Sequence, residues 1–251
     1  MKLTDKVAII TGAASGMGRA MAKVFFNEGA KLVLADINDQ SLRELQTELD
    51  SSKNKIIYIK CDVASENEIL NMVRLCVEKF GQIDVLVNNA GVMDDFIPVD
   101  RIVNKQWQHI MDVNLNGPFY AMRAVLPIML KHGKGVILNI ASVGGLFGSR
   151  AGAAYTASKH ALIGLTKNTG FMYAQKGIRC NAIAPGGVNT HIADSLIPDA
   201  LGYERCISGA SLMPRMGEPE EIAQIAAHLC SDEASFINGA VITADGGWTA
   251  Y

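Results

Sequence analysis

The sequence predicts an α/β fold, a doubly wound parallel sheet with helices on both faces, and three observations predict it. Short runs rich in Val and Ile alternate with longer amphipathic stretches, the pattern of repeated βαβ units. Most of the short runs are apolar at successive positions, as strands covered on both faces require. Glycines gather where the first strand gives way to the first helix, in Thr11-Gly12-Ala13-Ala14-Ser15-Gly16-Met17-Gly18.

Taken in order, Val7–Thr11, apolar through Ile10, is the first strand, and the glycine cluster opens a helix over Gly16–Asn27. Lys31–Asp36 is the second strand; Asn38 and Asp39 then supply the capping acceptors that start a helix over Asp39–Leu49. A third strand over residues 55–61 precedes a helix over Glu66–Phe80, and Val85–Asn88 is the fourth strand. A long helical stretch over 105–131 contains Asn114-Leu115-Asn116-Gly117. Asn is a poor interior helix residue, so a local bend and a functional backbone carbonyl are expected at Asn114. A strand over 135–141, a helix over 154–175, a strand over 179–184, a helix over Pro219–Cys230 and a strand over 240–244 complete the series. Gly29, Gly81, Gly133 and Gly177 follow four of the helices, where a left-handed residue closes the last turn.

Residues 186–214 break the rhythm. They follow a strand but exceed ordinary βα connections, and they carry Pro198, Gly202 and Gly209. A long connection at the C-terminal end of a sheet reads as a lid or substrate loop. No repeat, low-complexity tract or Pro/Ser-rich linker intervenes, so residues 1–251 are read as one domain.

Composition narrows the functional classes. A hydrophobic fraction of 49% over 251 residues suits a large core that needs no disulfide or metal staple. A formal net charge of −2 offers no basic field for nucleic acid or anionic lipid. Cys61, Cys76, Cys180, Cys206 and Cys230 are odd in number and lack metal or redox spacing, which suits a reduced, intracellular setting. The opening Met1-Lys2-Leu3-Thr4-Asp5-Lys6 has no signal-peptide core, and the apolar windows are too short to cross a bilayer. The expectation is a cytoplasmic chain without a membrane or nucleic-acid partner.

The glycine cluster points to a dinucleotide. Glycine lets the backbone approach a phosphate closely, and the helix N-terminus offers free N–H groups and partial positive charge to a pyrophosphate. Its spacing is G-x3-G-x-G rather than G-x-G-x-x-G, so its weight comes from the strand before it and the helix after it. Asp36 ends the second strand, where a carboxylate accepts from the adenosine ribose hydroxyls and repels a 2′-phosphate. The alternative role, capping the next helix, is already filled by Asn38 and Asp39. Ser15, Ile37 and Asn38, where a cation could hold that phosphate, are uncharged, which favours NAD over NADP. Asp62-Val63 and Asn88-Asn89-Ala90-Gly91 close the third and fourth strands and so face the same crevice; the small Ala90-Gly91 step admits a ribose.

The second half carries acid–base chemistry. Tyr155 and Lys159 are i and i+4 on one helix and share a face. A free phenol with a pKa of about 10 is a poor base at neutral pH. A neighbouring ammonium together with an oxidised nicotinamide favours the phenolate. Tyr155 then takes the alcohol proton as hydride leaves carbon, or returns it in the reverse direction. Ser142 ends the fifth strand in Asn139-Ile140-Ala141-Ser142, where its hydroxyl can bond the substrate oxygen.

These motifs together resemble the classical short-chain dehydrogenase/reductase family. The resemblance rests on Thr11-Gly12-x3-Gly16-x-Gly18, Asn88-Asn89-Ala90-Gly91, Asn114, Ser142, Tyr155-x-x-x-Lys159 and Pro185-Gly186-x3-Thr190, and it runs to Asp245-Gly246-Gly247. It implies a seven-stranded Rossmann-type sheet and a catalytic set of Asn114, Ser142, Tyr155 and Lys159, with no departure at a catalytic position. By that resemblance Tyr155 is the acid/base and Ser142 orients the carbonyl. Lys159 binds the nicotinamide ribose and tunes Tyr155, the Asn114 main chain holds a relay water, and Val188 and Thr190 contact the nicotinamide. Gly12, Ser15, Gly16, Met17, Gly18, Asp36, Asp62, Val63, Asn89, Ala90 and Gly91 complete the expected cofactor set.

The leading expectation is an NAD(H)-dependent oxidoreductase interconverting a secondary alcohol and a ketone. A 3-oxoacyl-[acyl-carrier-protein] reductase is the rival; it would want a basic patch at the active-site rim, for which Lys131, His132 and Lys134 are candidates, the favoured reading of them being ordinary solvated side chains. A non-catalytic NAD(H)-sensing protein is the second rival, but such relatives lose the Tyr or Lys that this chain keeps. Residues 93–98, 143–147 and 186–214 would set specificity, with Leu146, Phe147, Ile192, Leu196, Ile197 and Leu201 forming an apolar wall. His109 and His191 each stand alone, so no metal is expected and ordinary polar roles are assigned to both. A homotetramer is expected from the resemblance, from the aromatic C-terminal stretch Trp248-Thr249-Ala250-Tyr251, and from helix faces bearing Ala121, Ala161, Leu165 and Phe171; the alternative is that these residues pack within the subunit and the tail folds onto its own sheet.

Overall fold

The computed structural model describes every residue of the chain except 51, 53, 195, 209 and 251. In chain order the elements are β1 (Val7–Thr11), α1 (Gly16–Asn27), β2 (Lys31–Asp36), α2 (Asp39–Leu49), β3 (Ile56–Lys60), α3 (Glu66–Phe80) and β4 (Val85–Asn88). There follow α4 (Asn104–Met111), α5 (Gly117–His132), β5 (Gly135–Ile140), α6 (Ala153–Tyr173), β6 (Ile178–Pro185), α7 (Ala200–Ile207), α8 (Pro219–Cys230) and β7 (Val241–Ala244).

The period of two sorts each strand between two cores. Ala8, Ile10, Leu32, Leu34, Val85 and Val87 pack on one face with Phe25, Leu42, Leu45 and Ile222 of α1, α2 and α8. Val7, Ile9, Val33, Ala35 and Leu86 pack on the other with Ile69, Met72, Val125 and Met129 of α3 and α5. This is the division that a sheet covered on both faces requires. The seven strands run in the order β3-β2-β1-β4-β5-β6-β7, and every pair is parallel. All their C-terminal ends therefore lie along one edge. The winding reverses between β1 and β4, and there the crevice opens.

The expected strands are all present, with ends shifted by a residue or so. The carbonyl of Lys55 and the N–H of Cys61 still bond β2 just outside the β3 ladder. The long helix expected over 105–131 is interrupted: a wide turn over Asp112–Asn116 separates α4 from α5, and the Gly117 N–H reaches back five residues to the Asp112 carbonyl. Within the loop expected over 186–214 lies a helix the sequence reading missed, α7, capped by Asp199, whose side chain accepts from the Gly202 N–H at 2.9 Å. Gly209 of that loop lies outside the described residues. The loop's two feet are joined: Gly217 N–H donates to the Gly187 carbonyl and Asn189 N–H to the Gly217 carbonyl, at 2.8 and 2.9 Å.

Two surface expectations are corrected. Ala121 is wholly buried against the sheet rather than exposed, because α5 is apolar on more than one side. Trp248 is already buried within the chain, where the Arg150 guanidinium stacks 4.2 Å from its ring centre, so its burial needs no second subunit. Tyr251 lies outside the described residues. Among the described residues no helix is long and apolar enough to cross a membrane.

Phe25 fills the junction of α1 with the sheet and is fully buried. Phe25→Ala is expected to cost about 3–5 kcal/mol of folding free energy, the loss of a buried aromatic plus its cavity. Urea unfolding of the variant beside the native chain checks this.

Candidate active site

The crevice is built where β1 and β4 end side by side. The Asn89 side-chain amide donates to the Thr11 and Gly12 carbonyls, each at 3.0 Å, while the Thr11 hydroxyl accepts the N–H groups of Asn89 and Ala90 at 3.0 and 3.2 Å. The two loops are so close that a β-carbon on Gly12 would lie 2.8 Å from the Ala90 α-carbon, and Gly12 has φ +64°. Only glycine serves there. Beyond it, the Ser15 side chain makes no cap hydrogen bond, so the first N–H groups of α1 face the cleft.

The resulting cleft, about 390 Å³, is lined by Gly12, Ser15, Gly16, Met17, Asp36, Asp62, Val63, Asn89, Ala90, Gly91 and Thr190. Asp36 is held on its wall by two backbone donors, Ala14 N–H and Asn38 N–H, both at 3.0 Å. Asn38 caps α2, accepting from the Ser41 N–H, so the capping role is indeed taken. Gly18 and Val188 are not on this wall. Gly18 packs behind it against the Gly12 carbonyl, and Val188 sits at the foot of the long loop beside Gly217. The wall also takes Ile37 and Ile192, and with them Cys61, Val92 and Val113, which sequence reasoning had not assigned to it. His109 and His191, given ordinary polar roles, border it too; His191 Nδ1 lies 2.7 Å from an Asp194 carboxylate oxygen.

The first turns of α6 carry Tyr155 and Lys159 to the end of β5. Both are buried. Lys159 Nζ donates to the Ile140 carbonyl at 2.9 Å and lies 5.6 Å from the centre of the Tyr155 ring. Ser142, just after β5, accepts the Gly144 N–H at 3.0 Å, and its hydroxyl neighbours the Tyr155 phenol. Asn114 occupies the wide turn between α4 and α5 and is wholly buried. Its side chain accepts from the Val92 N–H and donates to the Val92 carbonyl, each at 2.9 Å, and donates to the Ser158 hydroxyl at 3.3 Å. A β-carbon on Gly91 would meet Asn114 Oδ1 at 3.3 Å and Lys159 Nζ at 3.5 Å, so the small residue expected for a ribose also makes room for these two groups.

Groups of the chain itself shift the Tyr155 phenol in both directions. Burial pushes the Tyr155 phenol above its ordinary value; the Ser142 hydroxyl draws it back, and the Asp94 carboxylate adds to the rise. Burial lowers the Lys159 ammonium from 10.5 to about 8. One of the three ammonium donors is used by the Ile140 carbonyl.

Sequence reasoning missed Asp94. Its side chain is fully buried at the N-terminal end of α6, and in the run Met93-Asp94-Asp95-Phe96 nothing local distinguishes it from Asp95. The basic patch sought at the active-site rim is also corrected. Lys131, His132 and Lys134 lie between the end of α5 and the start of β5, at the opposite end of the sheet from Ser142 and Tyr155, and Lys134 sits 3.8 Å from Asp84.

The lowered Lys159 pKa gives a signed prediction. Between about pH 8 and 10.5 the unfolded chain binds more protons at this residue than the folded one, so stability contributed here rises with pH. Wild type should gain stability relative to Lys159→Met across that interval, and denaturant melts at stepped pH check the direction.

A family model described as Enoyl-(Acyl carrier protein) reductase matches residues 12–249. The chain is 44% identical to 3beta-hydroxysteroid dehydrogenase 2 of Eggerthella lenta, with 99% of this chain and 96% of that protein covered. It is 40% identical to the 3-oxoacyl-[acyl-carrier-protein] reductase FabG of Thermotoga maritima, covering 98% and 99%. The crystal structure of levodione reductase superposes with a TM-score of 0.90 at 35% identity, covering 99% of this chain and 100% of that one. With the parallel seven-stranded sheet and a cleft at its reversal, these likenesses establish that the chain belongs to the short-chain dehydrogenase/reductase family of oxidoreductases.

Proposed function

We propose that this protein is an NAD(H)-dependent oxidoreductase that interconverts a secondary alcohol and a ketone on a bulky apolar carbon skeleton. The convergence of Ser142, Tyr155 and Lys159 at the end of β5, beside a cleft bearing Asp36, carries the reading. The cleft suits a dinucleotide: the uncapped start of α1 and the Gly12 cradle would hold the pyrophosphate, and the Asp36 carboxylate the adenosine ribose. The nearest cations on α1, Arg19 and Lys23, both pair with Glu48, at 2.7 and 2.8 Å, leaving neither committed to a 2′-phosphate. When bound, the nicotinamide supplies the hydride acceptor or donor.

The residues do the rest. Ser142 donates to the substrate oxygen and orients it, and Tyr155 passes a proton to that oxygen in reduction or takes it in oxidation. Lys159 holds the nicotinamide ribose, and the Asn114 backbone holds a relay water. Val188 and Thr190 flank the nicotinamide end. Exposed apolar side chains on the lid, Ile192, Ile197 and Leu201, supply an apolar rim. The hydroxysteroid dehydrogenase relative, whose name states a bulky alicyclic alcohol, supports that substrate class. The carrier-protein reading has a relative at 40% identity in its favour, but its proposed basic patch is at the wrong end of the sheet. We further infer a cytoplasmic homotetramer associated through α5 and α6, since Phe119 and Phe171 present aromatic surface outward.

NADH is expected to support ketone reduction at least about tenfold better than NADPH, one unfavourable charge contact being worth roughly 1.4 kcal/mol or more. Initial rates at equal cofactor concentrations test this, and a faster NADPH rate sinks it. Tyr155→Phe should cut turnover by about 10²–10⁴-fold, the usual worth of a positioned acid/base, with NADH affinity nearly intact. Turnover assays against a panel of cyclic ketones, paired with NADH fluorescence titration, decide between this reading and a non-catalytic sensor.

A further inference from the structure

We propose that Asp94 is a positioning residue for Tyr155, fixing the catalytic helix by capping it from another part of the chain; the proposal rests on Tyr155 being the proton donor. The first turn of a helix presents N–H groups with no partner inside the helix. At α6 the residue at the cap position is Gly152, which has no side chain to satisfy them. Asp94, on the loop that follows β4, does so instead. One carboxylate oxygen accepts the Gly152 N–H at 3.0 Å and the Phe96 N–H at 3.3 Å, and the other accepts the Tyr155 N–H itself at 2.8 Å. The Ala153 N–H is taken by the Ile97 carbonyl at 2.9 Å, so the same loop closes the helix end twice.

A buried carboxylate is costly unless hydrogen bonds repay it. Here they hold the backbone of the residue whose phenol must meet the substrate oxygen. Gly152 is fitted to the arrangement: a β-carbon there would fall 2.7 Å from both carboxylate oxygens. The two residues after Asp94 carry the restraint to the lid. Asp95 and Phe96 both have positive φ, 55° and 60°, a conformation that costs non-glycine residues energy and persists where surrounding structure enforces it. The Asp95 side chain accepts from the Ile197 N–H at 3.1 Å and its carbonyl from the Asp199 N–H at 2.8 Å. Phe96 meets Tyr203 of α7 edge-on, with ring centres 5.5 Å apart. Three consecutive residues thus register the cofactor-side strand β4, the start of α6 and the lid helix against one another.

Displacements of about an ångström at a reacting group cost on the order of 100-fold in rate. Asp94→Asn keeps the size of the side chain but removes the charge and one acceptor. It should lower kcat for ketone reduction by about 10–100-fold while leaving the NADH dissociation constant within about twofold. In a Tyr155→Phe background it should lower the residual rate no further, because the group being positioned is gone. A kcat within about twofold of wild type, an equal loss of NADH affinity, or an undiminished loss in the Tyr155→Phe background would each overturn the proposal. Hydrogen exchange at the Tyr155 amide of the wild-type protein serves if the variant does not fold: protection is expected, and exchange at the rate of an uncapped helix end overturns the assignment. If Tyr155→Phe alone retains wild-type turnover, it is the acid/base reading that fails, a result separable from all of these.

Discussion

The crossed hydrogen bonds between Thr11 and Asn89 hold together the point from which the site is built. At a reversal of winding, the two strands send their following segments to opposite faces of the sheet, and the β1–β4 ladder stops at Ile10 and Val87. The Asn89 amide spanning two carbonyls, and the Thr11 hydroxyl receiving two N–H groups, close that gap with side chains. The Gly12 turn then rests on Ala90, and Gly91 falls beside Asn114 and Lys159. One stretch of chain, from Asn89 to Phe96, touches the floor of the cleft, the wide turn before α5, the start of α6 and the lid.

Polar groups buried behind the site extend this framework. The Asn88 side chain donates to Asn139 at 2.8 Å, and Asn139 donates in turn to the Thr166 hydroxyl at 2.8 Å, bolting β4 to β5 and β5 to α6. Such networks are favourable when each member is satisfied and costly when one is not. Within this frame the buried phenol and the buried ammonium are both pushed toward neutrality. Both shifts have the same cause, burial, which disfavours charge on either group.

Much of this was legible in the sequence because the deciding signals are local. Runs such as Val7–Thr11 specify buried strands on their own, and the glycine cluster, Asp36 and the Asn89-Ala90-Gly91 step sit at strand ends, which a parallel sheet brings to one edge. Asn114 was legible as a disturbance because an amide suits a helix interior poorly. What escaped depends on distant neighbours. Asp94 differs from Asp95 by which backbone donors reach it, and those donors lie about sixty positions away. The helix α7 hid in a loop because eight residues with mixed polarity between Pro198 and Gly209 carry little periodicity. The placement of Lys131, His132 and Lys134 was a failure of geometry rather than of signal: residues that precede a parallel strand lie at its starting end, away from the crevice.

The pairing of Val188 with Gly217 makes the long loop a closed excursion that leaves the body of the protein and returns to the same spot. Its length is thereby decoupled from the sheet. Lengthening a tethered loop carries a penalty that grows only logarithmically, about 0.6 kcal/mol for each doubling. Insertions, deletions and wholesale replacement between those feet can accumulate without disturbing Asp36 or the Gly12 turn. In evolutionary terms, the loop can be remodelled while the strand ends that carry Asp36 and Gly12 keep their geometry.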